Sequence, residues 1–191
     1  MYQRKKEFLE IKEQLRKGIS VKDTYEEETI GTCEVGYTEK EMICVATCFT
    51  TAGKLLEKQI TITKEKPYYP EPTSSFKEAP IMIETIKKLT EMPSVILILN
   101  NTTKNNTLSN ASHVGVQLNC ATIGITTKGT EEKQIQTKKF ANPLSISLGH
   151  NISQETAERI IKKQLQGHKL PEPLHMTHKI LNKVRKGRRI E

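Results

Sequence analysis

Three β-rich segments joined by very short connections constrain this chain more than any other feature of its sequence. Between Thr29 and Thr63, the runs TIGTCEVGY, MICVATCFTT and KLLEKQITIT are divided only by the polar TEKE and by a turn at Ala52-Gly53. Such connections join strands that run in opposite directions, because a parallel crossover needs a dozen residues or more. The segment therefore predicts a three-stranded antiparallel meander.

The segment that follows alternates between helix and strand patterns. A helix beginning near Phe76 is followed by an apolar strand over 94–99, a short helix over 108–118 and a second buried strand over 121–126. A helix between two strands carries the chain back along the sheet, so that the next strand runs in the same direction as the one before it. The alternation therefore predicts parallel strands joined by crossovers.

The remaining segments complete an element order that is found in ribonuclease H-like domains. An amphipathic helix is predicted over 2–17, two shorter strands in EEKQIQTKKF and PLSISLGH, a helix in ISQETAERIIKKQLQG that ends at Gly167, and a last helix over about 174–186. The fold prediction is therefore an α/β, ribonuclease H-like mixed sheet flanked by helices, with the antiparallel meander preceding the parallel strands.

Composition favours one globular domain with an acidic partner. The 191 residues, 35% of them hydrophobic, suit a single domain over 1–191 with a basic C-terminal tail at about 183–191. The net charge of +8 favours a polyanionic partner. A charged start without an apolar signal region predicts a cytoplasmic protein with no membrane partner. The four cysteines form no metal-ligand spacing and are predicted to be buried thiols.

Four longer motifs together resemble the endonuclease V family, whose members nick nucleic acid near deaminated adenine (inosine). They are YYPEPTSSFKEAPIMIETIKKL at 68–89, ASHVGVQLNCATIGIT at 111–126, PLSISLGHNISQETAERIIKK at 143–163 and GHKLPEPLHMTHKILN at 167–182. They occur in the order of the family and cover most of the chain from Ile30 onward.

The resemblance implies a set of catalytic residues, with two departures. Glu34 stands where the family has a metal-binding aspartate on the first strand, and Glu78 keeps a glutamate of the following helix. Asn100 replaces a second aspartate, and Thr127 replaces a lysine. His150 matches a Gly-His motif. The implied metal ligands are Glu34 and Asn100, a weakened set because an amide carries no charge for Mg²⁺ or Mn²⁺.

The resemblance also implies where nucleic acid binds. In the family, a Tyr-Pro loop acts as a wedge between bases, and Tyr68, Tyr69 and Pro70 occupy that loop here. The alternative is a rigid loop that packs on its own domain. Lys128 could contact phosphate in place of the missing lysine, although its side chain is expected on the opposite face of the strand.

Other charged and histidine positions have structural explanations that compete with functional ones. His113 is predicted to be a core or capping histidine. His168, His175 and His178 have no carboxylate or cysteine at metal-ligand spacing in the sequence and are predicted to lie at the surface. The terminal Lys and Arg cluster is either a solvated tail or a phosphate contact.

Three functional hypotheses follow. The first is a protein that binds DNA or RNA at inosine-containing or distorted sites and has lost most nuclease activity. The second is an active endonuclease in which Glu34, Glu78, Asn100 and His150 hold Mg²⁺ or Mn²⁺. The third is a non-catalytic scaffold or subunit. None of them calls for a small-molecule cofactor.

Overall fold

The computed structural model describes residues 2–24, 26, 28–64, 74–99, 108–127, 133–137 and 143–187. The strands are β1 (Thr29–Tyr37), β2 (Met42–Thr50), β3 (Leu55–Thr63), β4 (Val95–Leu99), β5 (Ala121–Thr126), β6 (Lys133–Ile135) and β7 (Leu144–His150). The helices are α1 (Tyr2–Lys17), α2 (Ser74–Ile86), α3 (Asn110–Leu118), α4 (Gln154–Lys163) and α5 (Glu172–Arg185).

The strands form one mixed sheet in the order β3-β2-β1-β4-β5-β7-β6. β1, β2 and β3 pair antiparallel, which confirms the meander. β1, β4 and β5 pair in parallel, which confirms the predicted crossovers. β7 pairs antiparallel with both β5 and β6. The predicted ribonuclease H-like α/β fold is therefore confirmed.

Helices cover both faces of the sheet, and the central strand β4 is apolar on both sides. In β4, Ile96 and Ile98 belong to the core shared with α2 and α3, whereas Val95 and Leu97 belong to the core shared with α4 and α5. This alternation explains the unbroken apolar run VILIL, which is the pattern of a strand buried on both faces. α1 packs on the outside of α3.

The boundaries of the last two helices differ from the sequence prediction. α4 ends at Lys163, before the predicted Gly167, because the carbonyl of Gln164 accepts the backbone N–H of Glu172 at 2.8 Å. α5 begins at Glu172, directly after Pro171, since proline suits the start of a helix. α5 includes Lys183 and Arg185, as does the helix predicted over about 174–186, so the start of the basic tail is helical; residues 188–191 lie outside the described part.

The four cysteines are free and buried, as the sequence predicts. Cys33 and Cys44 lie on adjacent strands with their Sγ atoms 3.4 Å apart. In the part of the chain that the structure describes, no helix has the length and apolar character needed to cross a membrane.

Candidate functional site

The site begins at Glu34, a buried carboxylate near the carboxyl end of β1. Only 4% of the surface of Glu34 is exposed to solvent. One oxygen, Oε1, lies 2.7 Å from Nδ1 of His178 on α5, and the imidazole donates because a carboxylate only accepts. The other oxygen, Oε2, is buried without a hydrogen-bond partner among the described residues. Glu34 thus has one satisfied oxygen and one that is available to a further donor or cation.

Three threonine hydroxyls hold α5 against β1 and β2 beside this pair. Thr32, Thr47 and Thr177 form a triangle with Oγ1–Oγ1 distances of 2.6, 2.5 and 2.8 Å. Thr177 also donates to the carbonyl of Pro173, one turn earlier in α5. Because Thr177 precedes His178 in the chain, the triangle fixes the part of α5 that carries the imidazole.

A close approach between α5 and the sheet is possible because residue 36 is glycine. A Cβ atom at Gly36 would lie 3.1 Å from the side chains of both Leu181 and Arg185. Such a distance is tighter than ordinary packing, so a larger residue would push α5 outward. Gly36 therefore contributes to the short distance between His178 and Glu34.

Burial controls the charge state of Glu34. Desolvation raises the pKa of the Glu34 carboxyl, and the hydrogen bond and charge of His178, together with the charge of Arg185, act in the opposite direction. The net result is a raised pKa. The carboxylate is consequently less stable as an anion than an exposed one, and a bound cation would stabilise it.

The second carboxylate, Glu78 in α2, is held at both oxygens. Tyr37 at the end of β1 donates its hydroxyl to Oε1 at 2.7 Å, and the side-chain amide of Asn110 donates to Oε2 at 2.5 Å. Glu78 is 3% exposed. Burial, followed by the charge and hydrogen bond of Glu78, raises the pKa of Tyr37. The Lys77 ammonium lies 4.6 Å from the centre of the Tyr37 ring.

Glu34 and Glu78 approach the carboxyl end of β1 from opposite faces of the sheet. Side chains alternate along a strand, so Glu34 faces α5 whereas Cys33 and Tyr37 face α2. Both carboxylates lie close enough to Cys33 to help raise the pKa of its thiol, after burial and the neighbouring Cys44. The structure thus brings the two predicted glutamates to one edge of the sheet.

The structure does not bring His150 to this edge. His150 pairs with Thr122, which is level with Ile96 of β4 and Gly31 of β1. It therefore lies three strands from β1, roughly 14 Å across the sheet, and Glu34 is about 10 Å farther along the strands. The physical reason is that β7 runs antiparallel to β5, so its carboxyl end points to the amino ends of the parallel strands.

His150 has a structural environment of its own. Its Nδ1 accepts the backbone N–H of Ser20 at 3.1 Å, and its Nε2 lies 3.4 Å from Oδ1 of Asn119. Burial lowers its pKa. The neutral ring thus links the segment after α1 to the end of α3.

Several predicted site residues cannot be placed. Asn100, Tyr68, Tyr69, Pro70 and Lys128 lie outside the described residues, and their assigned roles stay predictions. Thr127 is described, directly after the last residue of β5.

Three contributors were not predicted from the sequence: Tyr37, Asn110 and His178. His178 was predicted to lie at the surface; its side chain is 43% exposed, but its contact with Glu34 was not foreseen. His168 also has a carboxylate partner, Glu172 at 3.3 Å. The available signal for His178 was its position in GHKLPEPLHMTHKILN, one of the four motifs that resemble the family.

The described residues fit a divalent cation only in part. The unpaired Oε2 of Glu34 is a hard oxygen ligand of the kind that Mg²⁺ and Mn²⁺ accept. Both oxygens of Glu78, however, already accept hydrogen bonds. Within the ranges that the structure describes, no three His, Cys, Asp or Glu side chains are grouped so that they could hold a metal ion.

Comparison with known proteins gives a consistent result. The endonuclease V family model matches residues 13–134 and 130–179. Endonuclease V of Protochlamydia amoebophila (strain UWE25) is 28% identical over 177 residues, covering 78% of this chain and 75% of that protein.

Solved structures show the same fold. Endonuclease V from Bacillus subtilis has a TM-score of 0.87 at 19% identity, covering 96% of this chain and 92% of that one. Endonuclease V of Ciona intestinalis, in complex with a 24mer DNA containing an inosine followed by a ribo-adenosine, has a TM-score of 0.80 at 20% identity, covering 97% and 99%.

Proposed function

Because the chain belongs to the endonuclease V family, we propose that it binds DNA or RNA at inosine-containing or distorted sites and that its nuclease activity is lost or much weakened. The observation that carries this proposal is the state of the two glutamates. Glu78 has both oxygens engaged by neutral donors, and Glu34 has a single oxygen left for a cation.

The net charge of the chain and a related protein both support nucleic-acid binding. The net charge of +8 attracts phosphate backbones at long range. The related Ciona protein has been captured on DNA that contains inosine. A strained or mismatched base costs less to unstack than a normal pair, which is one source of selectivity for such sites.

Weak catalysis is supported by the missing charges. Asn100 and Thr127 stand where the family has an aspartate and a lysine, so two charged groups are absent from the sequence. Loss of one group that stabilises the transition state of phosphoryl transfer commonly costs roughly two to three orders of magnitude in rate. Two such losses leave little cleavage.

A divalent cation, when bound, would supply neutralisation of the developing phosphate charge and activation of water. Among the described residues, Glu34, through its unpaired Oε2, is the one that would hold it, with His178 beside it. His178 orients the carboxylate by its hydrogen bond to the other oxygen. Glu78, together with Tyr37 and Asn110, supports the neighbouring part of the sheet edge.

The second candidate function is an active endonuclease that depends on Mg²⁺ or Mn²⁺. The specific observation that favours it is the pairing of a buried, partly unsatisfied carboxylate with a histidine whose side chain is 43% exposed. An accessible imidazole beside a candidate metal ligand could serve as a proton acceptor or donor for a substrate. Residual activity at this pair would make the protein a slow enzyme.

A binding assay and a nicking assay separate the two. Labelled DNA and RNA oligonucleotides that contain inosine or adenosine at one position are titrated without metal, and the same oligonucleotides are incubated with Mn²⁺. We expect several-fold tighter binding to the inosine strands and no nicking above background. Glu34→Gln and Glu78→Gln serve as site variants, with Glu10→Gln as the matched control, since Glu10 is exposed on α1.

The active enzyme would be established by nicking that requires Mn²⁺ and survives Glu10→Gln. That nicking must also be abolished by Glu34→Gln in a protein whose circular dichroism spectrum is unchanged. Equal binding of inosine and adenosine strands would contradict the proposed recognition. Absence of all nucleic-acid binding would favour a scaffold or subunit, for which a stable partner should co-purify.

A further inference from the structure

The outward side of α5 carries a row of lysines. Lys179, Lys183 and Lys186 follow one another at intervals of four and three residues, so they lie on one side of the helix. At 1.5 Å per residue, they are separated along the axis by about 6 Å and about 4.5 Å. All three are exposed. They form a linear series of positive charges, which we call the lysine row.

The lysine row borders a depression of about 470 Å³. Its other lining residues include Met176 and Ile180, which are half-buried and form an apolar floor, and Asn182, which adds an amide. A second depression of about 350 Å³ is lined by Tyr37, Thr38, Asn182, Arg185 and Lys186. Asn182 and Lys186 line both depressions, so the two adjoin along α5.

The second depression adjoins the candidate site. Tyr37, in its wall, is the residue that donates to Glu78. Arg185, also in its wall, is close enough to Glu34 to influence the pKa of that carboxyl. The two adjoining depressions, which we call the α5 groove, therefore extend from the lysine row to residues that contact or influence the two glutamates.

The charge of the α5 groove is not neutralised within the described residues. None of the three lysines forms an ion pair with another residue in the part of the chain that the structure describes. Glu172 is the acidic residue among those that line the groove, and it faces His168 at 3.3 Å. The lining thus presents Lys179, Lys183, Arg185 and Lys186 to an external anion.

We propose that the α5 groove binds the phosphodiester backbone of a nucleic-acid strand and directs that strand toward Glu34 and His178. This inference rests on the proposed function and adds to it the path of the bound strand. A linear series of cations matches a polymer with regularly spaced anions, and the apolar floor suits sugars and base faces. An acidic peptide or an anionic membrane would also meet the charges, but neither explains why the groove adjoins the candidate site.

The test compares the salt dependence of binding in two variants of equal charge. In one, Lys179, Lys183 and Lys186 are replaced by Gln; in the control, Lys22, Lys54 and Lys87 are replaced, three exposed lysines that lie outside α5. Affinity for a labelled single-stranded oligonucleotide is measured by fluorescence anisotropy between about 50 and 200 mM salt, since each phosphate contact contributes about 0.7 to the slope of log affinity against log salt.

We expect the α5 variant to bind roughly tenfold to a hundredfold more weakly at low salt, with a slope less steep by about 2, and the control to keep the wild-type slope. Equal slopes in both variants would overturn the inference while leaving inosine recognition intact. Loss of slope in the α5 variant without any inosine preference would support the groove and contradict the proposed recognition.

Vesicles that contain phosphatidylserine form the final arm. The inference would be overturned in favour of a membrane surface by two results together. Vesicle binding would depend on Lys179, Lys183 and Lys186, and oligonucleotide binding would not depend on them. Vesicle binding that is equal in the two variants, with the expected change of slope on the oligonucleotide, supports it.

Discussion

At the scale of single residues, Glu34 combines two opposing effects. Burial penalises its charged form, and the His178 imidazole compensates at one oxygen only. A carboxylate in such a position lowers the stability of the fold. It also provides a group that can bind a cation and donate electron density to it. Structural roles alone would be served better by an apolar or neutral side chain, which makes Glu34 the strongest single candidate for function.

We predict that Glu34→Gln raises the free energy of unfolding at pH 7 by about 1 kcal/mol, because a neutral amide has no charge for burial to penalise. The folded-state pKa of Glu34 is raised, so its contribution to stability is present below the unfolded pKa near 4.5 and is lost as pH rises through the folded pKa. The difference between variant and wild type should therefore be small near pH 4 and grow toward pH 7.

Urea unfolding at several pH values measures this difference. The matched control is Glu10→Gln, which removes the same charge from an exposed position and should follow the wild type throughout. A Glu34→Gln protein that is less stable than the wild type at pH 7 would mean that the contact with His178 outweighs the penalty of burial.

At the scale of secondary-structure elements, the docking of α5 determines the site. The helix reaches the sheet through the hydroxyl triangle of Thr32, Thr47 and Thr177, all of which are buried. The three oxygens share four contacts, including the carbonyl of Pro173, but carry only three protons. At most three of the four contacts can therefore be hydrogen bonds at one time, and removal of one hydroxyl leaves the others without a full set of partners.

We predict that Thr177→Val lowers the free energy of unfolding by about 1 to 3 kcal/mol, because buried hydroxyls of Thr32 and Thr47 lose a partner. The same change should weaken the contact between His178 and Glu34, so that the side-chain NMR resonances of His178 move relative to the wild type. Thr177→Ser keeps the hydroxyl and should restore the wild-type resonances even if some stability is lost. Unchanged His178 resonances in Thr177→Val would show that the triangle does not position His178.

At the scale of the whole molecule, one sheet serves two cores. Met82 of α2 belongs to the core on one face, and Ile160 of α4 belongs to the core on the other; both are fully buried. The strands β1 and β4 contribute side chains to both cores. If either core is lost, the strands that the two cores share lose their packing contacts on one face.

This arrangement predicts a single cooperative unfolding transition, as expected for one domain over residues 1–191. Far-UV circular dichroism and tyrosine fluorescence, which is unobscured because the chain has no tryptophan, should give one midpoint in urea. Met82→Ala and Ile160→Ala should each lower the stability by about 2 to 5 kcal/mol without splitting the transition. Two separate midpoints in either variant would contradict the single-domain prediction.

The amino-acid sequence by itself determined the architecture and two of the site residues. Short connections between the first three strands dictate antiparallel pairing, and alternation of helices and apolar strands dictates parallel crossovers, because both are local properties of the chain. Glu34 and Glu78 were assigned to the candidate site through the resemblance to a family, and for Glu34 also because a carboxylate within an apolar strand is costly to bury.

Only the tertiary structure decided which side chains meet. His178 is 144 residues from Glu34 and Asn110 is 32 residues from Glu78, and no local pattern encodes such contacts. The direction of β7 follows from its pairing with β5, and that direction places His150 far from Glu34. Periodicity depends on neighbours within a few residues, whereas an active site depends on where the carboxyl ends of distant strands and helices come together in space.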